Sequence, residues 1–425
     1  MASDVQAPPY PVQKEAPKSG PGVAAPPRPG ASGLARVWQG EVAPGFGPVA
    51  DAFARNFDAR GEVGAALSVY HRGEKVVDLW GGVRDSTTGD PWRADTMLVV
   101  FSTTKGLAAT VCARAVSRGL FAYDDPVARY WPEFAAAGKA DITVGDLLSH
   151  RAGLSHLDTR LDIADLHDPE RLSGILARQR PLWQPGRRWG YHALTFGLYL
   201  AELIRRTDPQ GRTLGRVFAE DIAGPLNIDA YIGLPAEIPD DRIARLDRPG
   251  RAQVVWGAGR LPRRLIPKVL NPFSRLHRSL RIIRGFNPNN RACLEPELAS
   301  ATGVAEVRGL ARLYGALAQG GRELGITPEV FAALAAMPDL PPGGSRDHVM
   351  GVEARWGPGF AKSSPDFPFG SGTLAFGMPG IGGSFAFADP DLELGYAYAP
   401  MRLGIVPFDE PREVALRAAV YDCLS

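Results

Sequence analysis

Ser102 and Lys105 stand three residues apart in Ser102-Thr103-Thr104-Lys105, between the apolar run Met97 to Phe101 and an Ala-rich helical stretch, Gly106 to Val116, that stops at Gly119. Residues three apart share one helix face, so the hydroxyl and the amine point into the same space. A serine hydroxyl is a poor nucleophile until a base takes its proton. An amine serves as that base only when burial or neighbouring positive charge lowers its pKa. The start of a helix helps twice, because its dipole disfavours the ammonium form and the serine's own N–H is left free to bind an oxyanion. The implied chemistry is acyl transfer through a serine ester. No other Ser-x-x-Lys occurs in the chain.

The elements that must hold this pair can be read from periodicity. Val49, Phe53 and Phe57 repeat at helical spacing within Phe46 to Asp58. Gly64 to His71 and Lys75 to Gly82 flank Arg72-Gly73-Glu74 and predict a hairpin. From Asp124 to about Asn227 the pattern is mainly helical with Pro and Gly punctuation, and strands return after Gly351. Phe385 to Asp389 and Leu394 to Ala399 are joined by a Pro390-Asp391 turn, and Pro411 to Leu424 predicts a final helix. Strands at both chain ends with helices between them imply an α+β sandwich: one antiparallel sheet built from the two ends, flanked by helices, with an inserted mainly helical lobe at about 124–345.

Three motifs carry a family resemblance: Phe101-Ser102-Thr103-Thr104-Lys105-Gly106, then Leu147-Leu148-Ser149-His150-Arg151-Ala152-Gly153-Leu154, then Gln184-Pro185-Gly186 with Trp189-Gly190-Tyr191-His192-Ala193. The chain resembles the serine β-lactamase and penicillin-binding-protein superfamily over roughly Val63 to Cys423. It is most similar there to class C β-lactamase-like esterases, the family VIII carboxylesterases and related transacylases. The resemblance implies a β-lactamase/transpeptidase-like fold with the site in the cleft between sheet and lobe. It makes Ser102 the nucleophile and Lys105 and Tyr191 the general base and acid. The third family motif, a strand with Lys-Thr-Gly or His-x-Gly, matches Phe376 to Ser384. There the Ile381 N–H would complete an oxyanion hole with that of Ser102. His192, Met378, Gly380 and Gly382 become candidate substrate contacts, although a side chain beside Tyr191 in a loop can equally point away. Two departures matter: Ala193 stands where the family often has Asn, and Met378 replaces a basic residue. A thioether cannot hold a substrate carboxylate.

The expected function is therefore a serine esterase acting on neutral carboxylic esters through an acyl-enzyme. An acyltransferase of secondary metabolism and a non-catalytic binding protein of the same fold remain the alternatives. No Gly-x-Ser-x-Gly elbow, P-loop, dinucleotide fingerprint or metal-ligand spacing is present, so neither cofactor nor metal is expected. With 425 residues, 45% of them hydrophobic and 22% charged, the chain can bury a large core. Three widely spaced cysteines (Cys112, Cys293, Cys423) argue against a disulfide scaffold. Residues 1–33, dense in Pro, Ala and Gly, predict a disordered tail without a signal-like apolar core, and 34–425 predict the hydrolase domain. The expected location is the cytoplasm, and no apolar run reaches transmembrane length.

One segment stands apart in charge. Between Asp247 and Glu295 no acid occurs, while Arg248, Arg251, Arg260, Arg263, Arg264, Lys268, Arg275, Arg278, Arg281, Arg284 and Arg291 supply eleven positive charges among leucines and isoleucines. This basic insertion, about 248–291, reads either as a solvated amphipathic segment or as a lid over the cleft. A lid would attract an anionic acyl carrier (coenzyme A or a carrier protein) or a membrane surface. No nucleic-acid motif accompanies it.

Overall fold

The structure, a computed structural model, describes residues 38–249, 265–405 and 408–425. The expected tail at 1–33 and four arginines of the basic stretch (Arg251, Arg260, Arg263 and Arg264) lie outside the described residues.

The strands are β1 (Trp38–Val42), β2 (Gly64–His71), β3 (Glu74–Gly82), β4 (Leu98–Val99), β5 (Ala230–Tyr231), β6 (Val304–Ala305), β7 (Ala361–Lys362), β8 (Phe376–Pro379), β9 (Phe385–Asp389) and β10 (Leu394–Pro400). Seven of them form one sheet in the order β1-β3-β2-β10-β9-β8-β7, with every neighbouring pair antiparallel. The predicted hairpin is β2–β3, turning through Arg72 and Gly73, both at positive φ (53° and 83°), as a tight hairpin requires. The two chain ends meet where β10 pairs with β2, Leu394 opposite His71 and Pro400 opposite Ala65. Edge strand β1 was not predicted: its polar pattern at Gln39-Gly40-Glu41 hides it, and it exists by pairing with β3.

Alternation along the strands sorts side chains by size. Leu67, Val69, Phe385, Phe387, Tyr396 and Tyr398 face one side, where they pack with Val49 and Phe53 of α1 (Gly47–Ala59) and with Leu416 and Val420 of the last helix, Pro411–Asp422. The other face carries Ala66, Ala386, Ala388, Ala397 and Ala399. These small residues let a long helix, Val307–Ala318, lie close against the strands. Where it crosses β10 at Gly395 there is no room for a side chain: a Cβ there would sit 2.1 Å from the Gly315 nitrogen.

The remaining helices in chain order are α2 (Thr104–Ser117), α3 (Val144–Leu148), α4 (Pro169–Arg178), α5 (Thr195–Thr207), α6 (Leu214–Phe218), α7 (Gly224–Leu226), α8 (Ile266–Leu270) and α9 (Arg275–Leu280). Val307–Ala318 is then α10, Pro328–Ala335 is α11 and Pro411–Asp422 is α12. Thus α10 lies inside the span expected to be lobe, yet it packs on the sheet. A second small sheet, β4-β6-β5, links the entry of α2 to the lobe. Among the described residues no helix is long and apolar enough to cross a membrane.

Candidate active site

Ser102 sits in a 3-10 turn, Phe101–Thr103, that feeds directly into α2. Phe101 has φ 45°, a left-handed conformation that a bulky non-glycine residue adopts only when its surroundings dictate it. The dictation is visible at Val100. Its N–H donates to Gly303 O (2.9 Å), and its carbonyl accepts from the Ser384 hydroxyl (2.9 Å) and the Thr103 N–H (3.1 Å). Ser384 is a buried tether between the β8–β9 turn and the nucleophile segment. Its Oγ also lies 3.2 Å from Thr103 Oγ1. On the other side of the pair, Gly106 lets α2 press against α10, since a Cβ there would meet Tyr314 Oη at 1.9 Å.

Lys105 is fully buried. Its Nζ lies 2.7 Å from Ala193 O, 2.9 Å from Ser300 O and 3.0 Å from Ser102 Oγ. Burial pushes its pKa well below the free value of 10.5. A neutral amine has two N–H donors and one lone pair. In that neutral form the two carbonyls would take both donors and the lone pair would face the serine. The carbonyl of Ala193 therefore contributes although its side chain lacks the family's amide. The cage is braced by Ser300 Oγ donating to Leu194 O (2.7 Å) and by the Gly303 N–H donating to Thr104 Oγ1 (2.9 Å).

Tyr191 is brought to the same pair. Its phenol is hydrogen-bonded to Ser102, and its ring lies under Lys105 Nζ, 4.9 Å from ring centre to nitrogen. Burial pushes the phenol pKa upward, and the nearby Asp347 carboxylate adds to the rise, so the phenol keeps its proton. Asp347 was not singled out from the sequence. It is fully buried and accepts the Tyr191 N–H (2.8 Å), the Trp356 indole N–H (3.0 Å) and the Val349 and Met350 amides (2.9 and 2.8 Å). Trp356 in turn stacks on the Tyr191 ring, with centroids 5.1 Å apart and planes at 21°. An isolated acid in a loop carries no local signal of this role, because its four donors come from residues 191, 349, 350 and 356.

His192 corrects the sequence reading. It does not line the cleft but turns inward, where its Nε2 accepts the Leu154 N–H (2.9 Å) and its ring stacks on His150. With Nε2 accepting, the proton of the neutral ring sits on Nδ1 and faces His150 Nδ1 at 3.2 Å. Burial holds the His192 pKa down at about 3 and that of His150 well below its free value. The physical reason is the buried Leu154 amide, which needs an acceptor, together with the alternation of neighbouring side chains along an extended loop.

The cleft beside this cluster is an apolar cavity of about 200 Å³, bordered by Ser102 and Tyr191 at its base. Met378, Gly380, Ile381 and Gly382 form one wall, and Met350, Trp356 and Phe408 form another. The β8–β9 turn is shaped by the Gly380 N–H donating to Ser384 O (2.7 Å) and by Gly382 and Gly383 at φ 93° and 109°. Ile381 and Ser102 thus border the same cavity. Among the described residues no Lys or Arg lines it.

The described part of the basic insertion roofs it. Leu265, Leu276 and Leu280 face the cavity. The basic side chains point elsewhere: Lys268 to Val349 O (3.3 Å), Arg275 over the Trp183 ring (5.5 Å), Arg278 to Asp158 (3.5 Å), and Arg291 to Asp240 and Glu295 (2.5 and 3.2 Å).

Comparison with known proteins agrees with this geometry. The model of the beta-lactamase family matches residues 50–420. The esterase/beta-lactamase LipL of Mycobacterium tuberculosis is 36% identical over 381 residues, covering 86% of this chain and 83% of LipL. Among solved structures, a family VIII carboxylesterase is 39% identical, with a TM-score of 0.80 over 91% of this chain and 99% of its own. A penicillin-binding protein homolog from Caulobacter crescentus is 38% identical, with a TM-score of 0.78 over the same shares. The chain belongs to the beta-lactamase family, as an enzyme of its serine-hydrolase, esterase-type branch.

Proposed function

We propose that the enzyme hydrolyses neutral carboxylic esters through an acyl-Ser102 intermediate. The observation that carries this reading is the Lys105 cage, a buried Nζ that bonds two carbonyls and lies 3.0 Å from Ser102 Oγ. Ser102 Oγ attacks the ester carbonyl while its proton passes to Lys105 Nζ. The Ser102 and Ile381 amides receive the developing oxyanion. As the tetrahedral intermediate collapses, the leaving alkoxide takes the Tyr191 phenolic proton, and the Lys105 ammonium restores it. Water then replaces the alcohol and the same steps run in reverse, releasing the acid. Met378, Gly380 and Gly382 contact the acyl or alcohol part.

Among the described residues no cation lines the cavity, which supports esters over carboxylate-bearing β-lactams. A lost charge-assisted hydrogen bond costs about 1.5–3 kcal/mol, or roughly ten- to a hundredfold. Residues 34–425 act as one hydrolase domain with 1–33 as a tail, and the three free cysteines suit the reducing cytoplasm. The pairing of Arg278 and Arg291 with acids gives no support to a coenzyme A or carrier-protein site there.

The test is intact mass after incubation with a p-nitrophenyl ester or a fluorophosphonate, followed by peptide mapping. The adduct is expected on Ser102, with p-nitrophenyl butyrate turned over far faster than a chromogenic cephalosporin. Labelling that persists in Ser102→Ala would sink the assignment, and cephalosporin turnover equal to that of the ester would sink the selectivity.

A further inference from the structure

The turn between α8 and α9 exposes apolar bulk that the catalytic reading does not use. Leu270 is 74% exposed and Phe273 is 86% exposed, the two most exposed large hydrophobic side chains among the described residues. They project from Leu270-Asn271-Pro272-Phe273. The helix that follows is two-sided. Leu276 and Leu280, four apart on one face, roof the cavity over Ser102, while Arg275 and Arg278 lie on the outer face. Just beyond, Arg281 and Arg284 are exposed and make no ion pair among the described residues. Leu280 is itself 38% exposed and also lines the cavity, so this one side chain reaches from the surface to the interior of the cavity.

Projecting apolar side chains ringed by arginines, with no acid from Arg248 to Leu294, have the composition of an element that lies in a lipid headgroup layer. Two exposed apolar side chains in a segment rich in arginines suit an anionic lipid surface. We propose that the α8–α9 turn seats the enzyme on an anionic lipid surface and delivers lipid-dissolved esters to the cavity that the same helix roofs. Docking stands on its own, whereas delivery rests on the ester-hydrolase reading above.

Sedimentation with sucrose-loaded vesicles tests this, using an equal mixture of phosphatidylglycerol and phosphatidylcholine against phosphatidylcholine alone. The Ser102→Ala protein serves as well as the wild type, since binding needs no turnover. The mixed vesicles should bind at low salt, and salt should release the enzyme. Leu270→Ser with Phe273→Ser should lower partitioning on the order of tenfold or more. Arg281→Ser and Arg284→Ser should each lower it about fivefold. Turnover of a soluble short ester should be unchanged in all of these variants. Failure of the wild type to sediment, or equal sedimentation of the Leu270/Phe273 double variant, overturns docking. Retention on an acidic carrier protein instead of vesicles reassigns the surface to a protein partner. Docking that leaves hydrolysis of a vesicle-embedded ester unaccelerated overturns delivery alone, and persistent hydrolysis in Ser102→Ala would count against the catalytic reading instead.

Discussion

Lys105 and Lys139 are built alike and differ in one valence. Both are fully buried, each ammonium nitrogen faces an aromatic ring (Tyr191 at 4.9 Å, Phe134 at 5.2 Å), and both have lowered pKa values through burial. Lys139 Nζ, however, donates to three carbonyls, those of Ala136, Ala177 and Gln179, at 2.7, 2.7 and 2.8 Å. Those three acceptors match the three N–H groups of an ammonium ion, and burial lowers the pKa to about 8. At Lys105 a serine hydroxyl replaces the third carbonyl, and a phenol replaces the phenyl ring. Burial alone does not make a base. A carbonyl only accepts, whereas a hydroxyl has a proton to give, so the chemistry of the third partner separates a lysine that ties the fold together from one that can take a proton.

The largest effect expected from this contrast is on turnover. Lys105→Met should lower kcat/KM on a p-nitrophenyl ester by about a hundred- to ten-thousandfold, and should also lower the melting temperature because the Ala193 and Ser300 carbonyls lose their donor. Lys139→Met should leave kcat/KM near wild type but destabilise the fold by about 1–3 kcal/mol for each buried carbonyl left unpaired. Steady-state kinetics beside thermal melts checks both, and a comparable loss of turnover in the two variants would break the distinction.

Next in size, Tyr191→Phe makes the catalytic cage resemble that of Lys139. It should cost about a hundredfold in kcat while leaving the melt unchanged, because the ring still stacks on Trp356. A kcat within a few-fold of wild type would make the tyrosine a packing residue only.

The smallest effect sharpens the contrast through pH. Neutral Lys105 is the active form, so kcat/KM should fall as pH drops through its pKa and rise to a plateau above it. Since burial depresses that pKa, the inflection should lie well below 10.5. Lys139→Met should leave the inflection where it is, and a shift in that variant would mean that the two lysines titrate together.

The sequence disclosed what depends on short spacing. Ser102 and Lys105 three apart, the β2–β3 hairpin and the β9–β10 pair are all local patterns, and matching strands at both ends foretold the single sheet. What it hid depends on distant groups. The carbonyls of Ala193 and Ser300 leave no mark on composition, Asp347 looks like any loop acid, and Lys139 beside Gly138 reads as a surface lysine until three carbonyls converge on it. His192 was misread for the same reason: its inward turn is set by the Leu154 amide, thirty-eight residues away in the chain.

The pairing of His71 with Leu394 also orders events in time. During synthesis Ser102 and Lys105 emerge early, but the β8–β9 turn that carries Ile381 must wait for strands made near the end. Until then β2 has one open edge, and closing it spans most of the chain, a slow step of high contact order. Under the proposed mechanism, a nascent or truncated chain would hold its nucleophile and base without the Ile381 half of its oxyanion hole, and would stay silent toward esters until the last strands zip in.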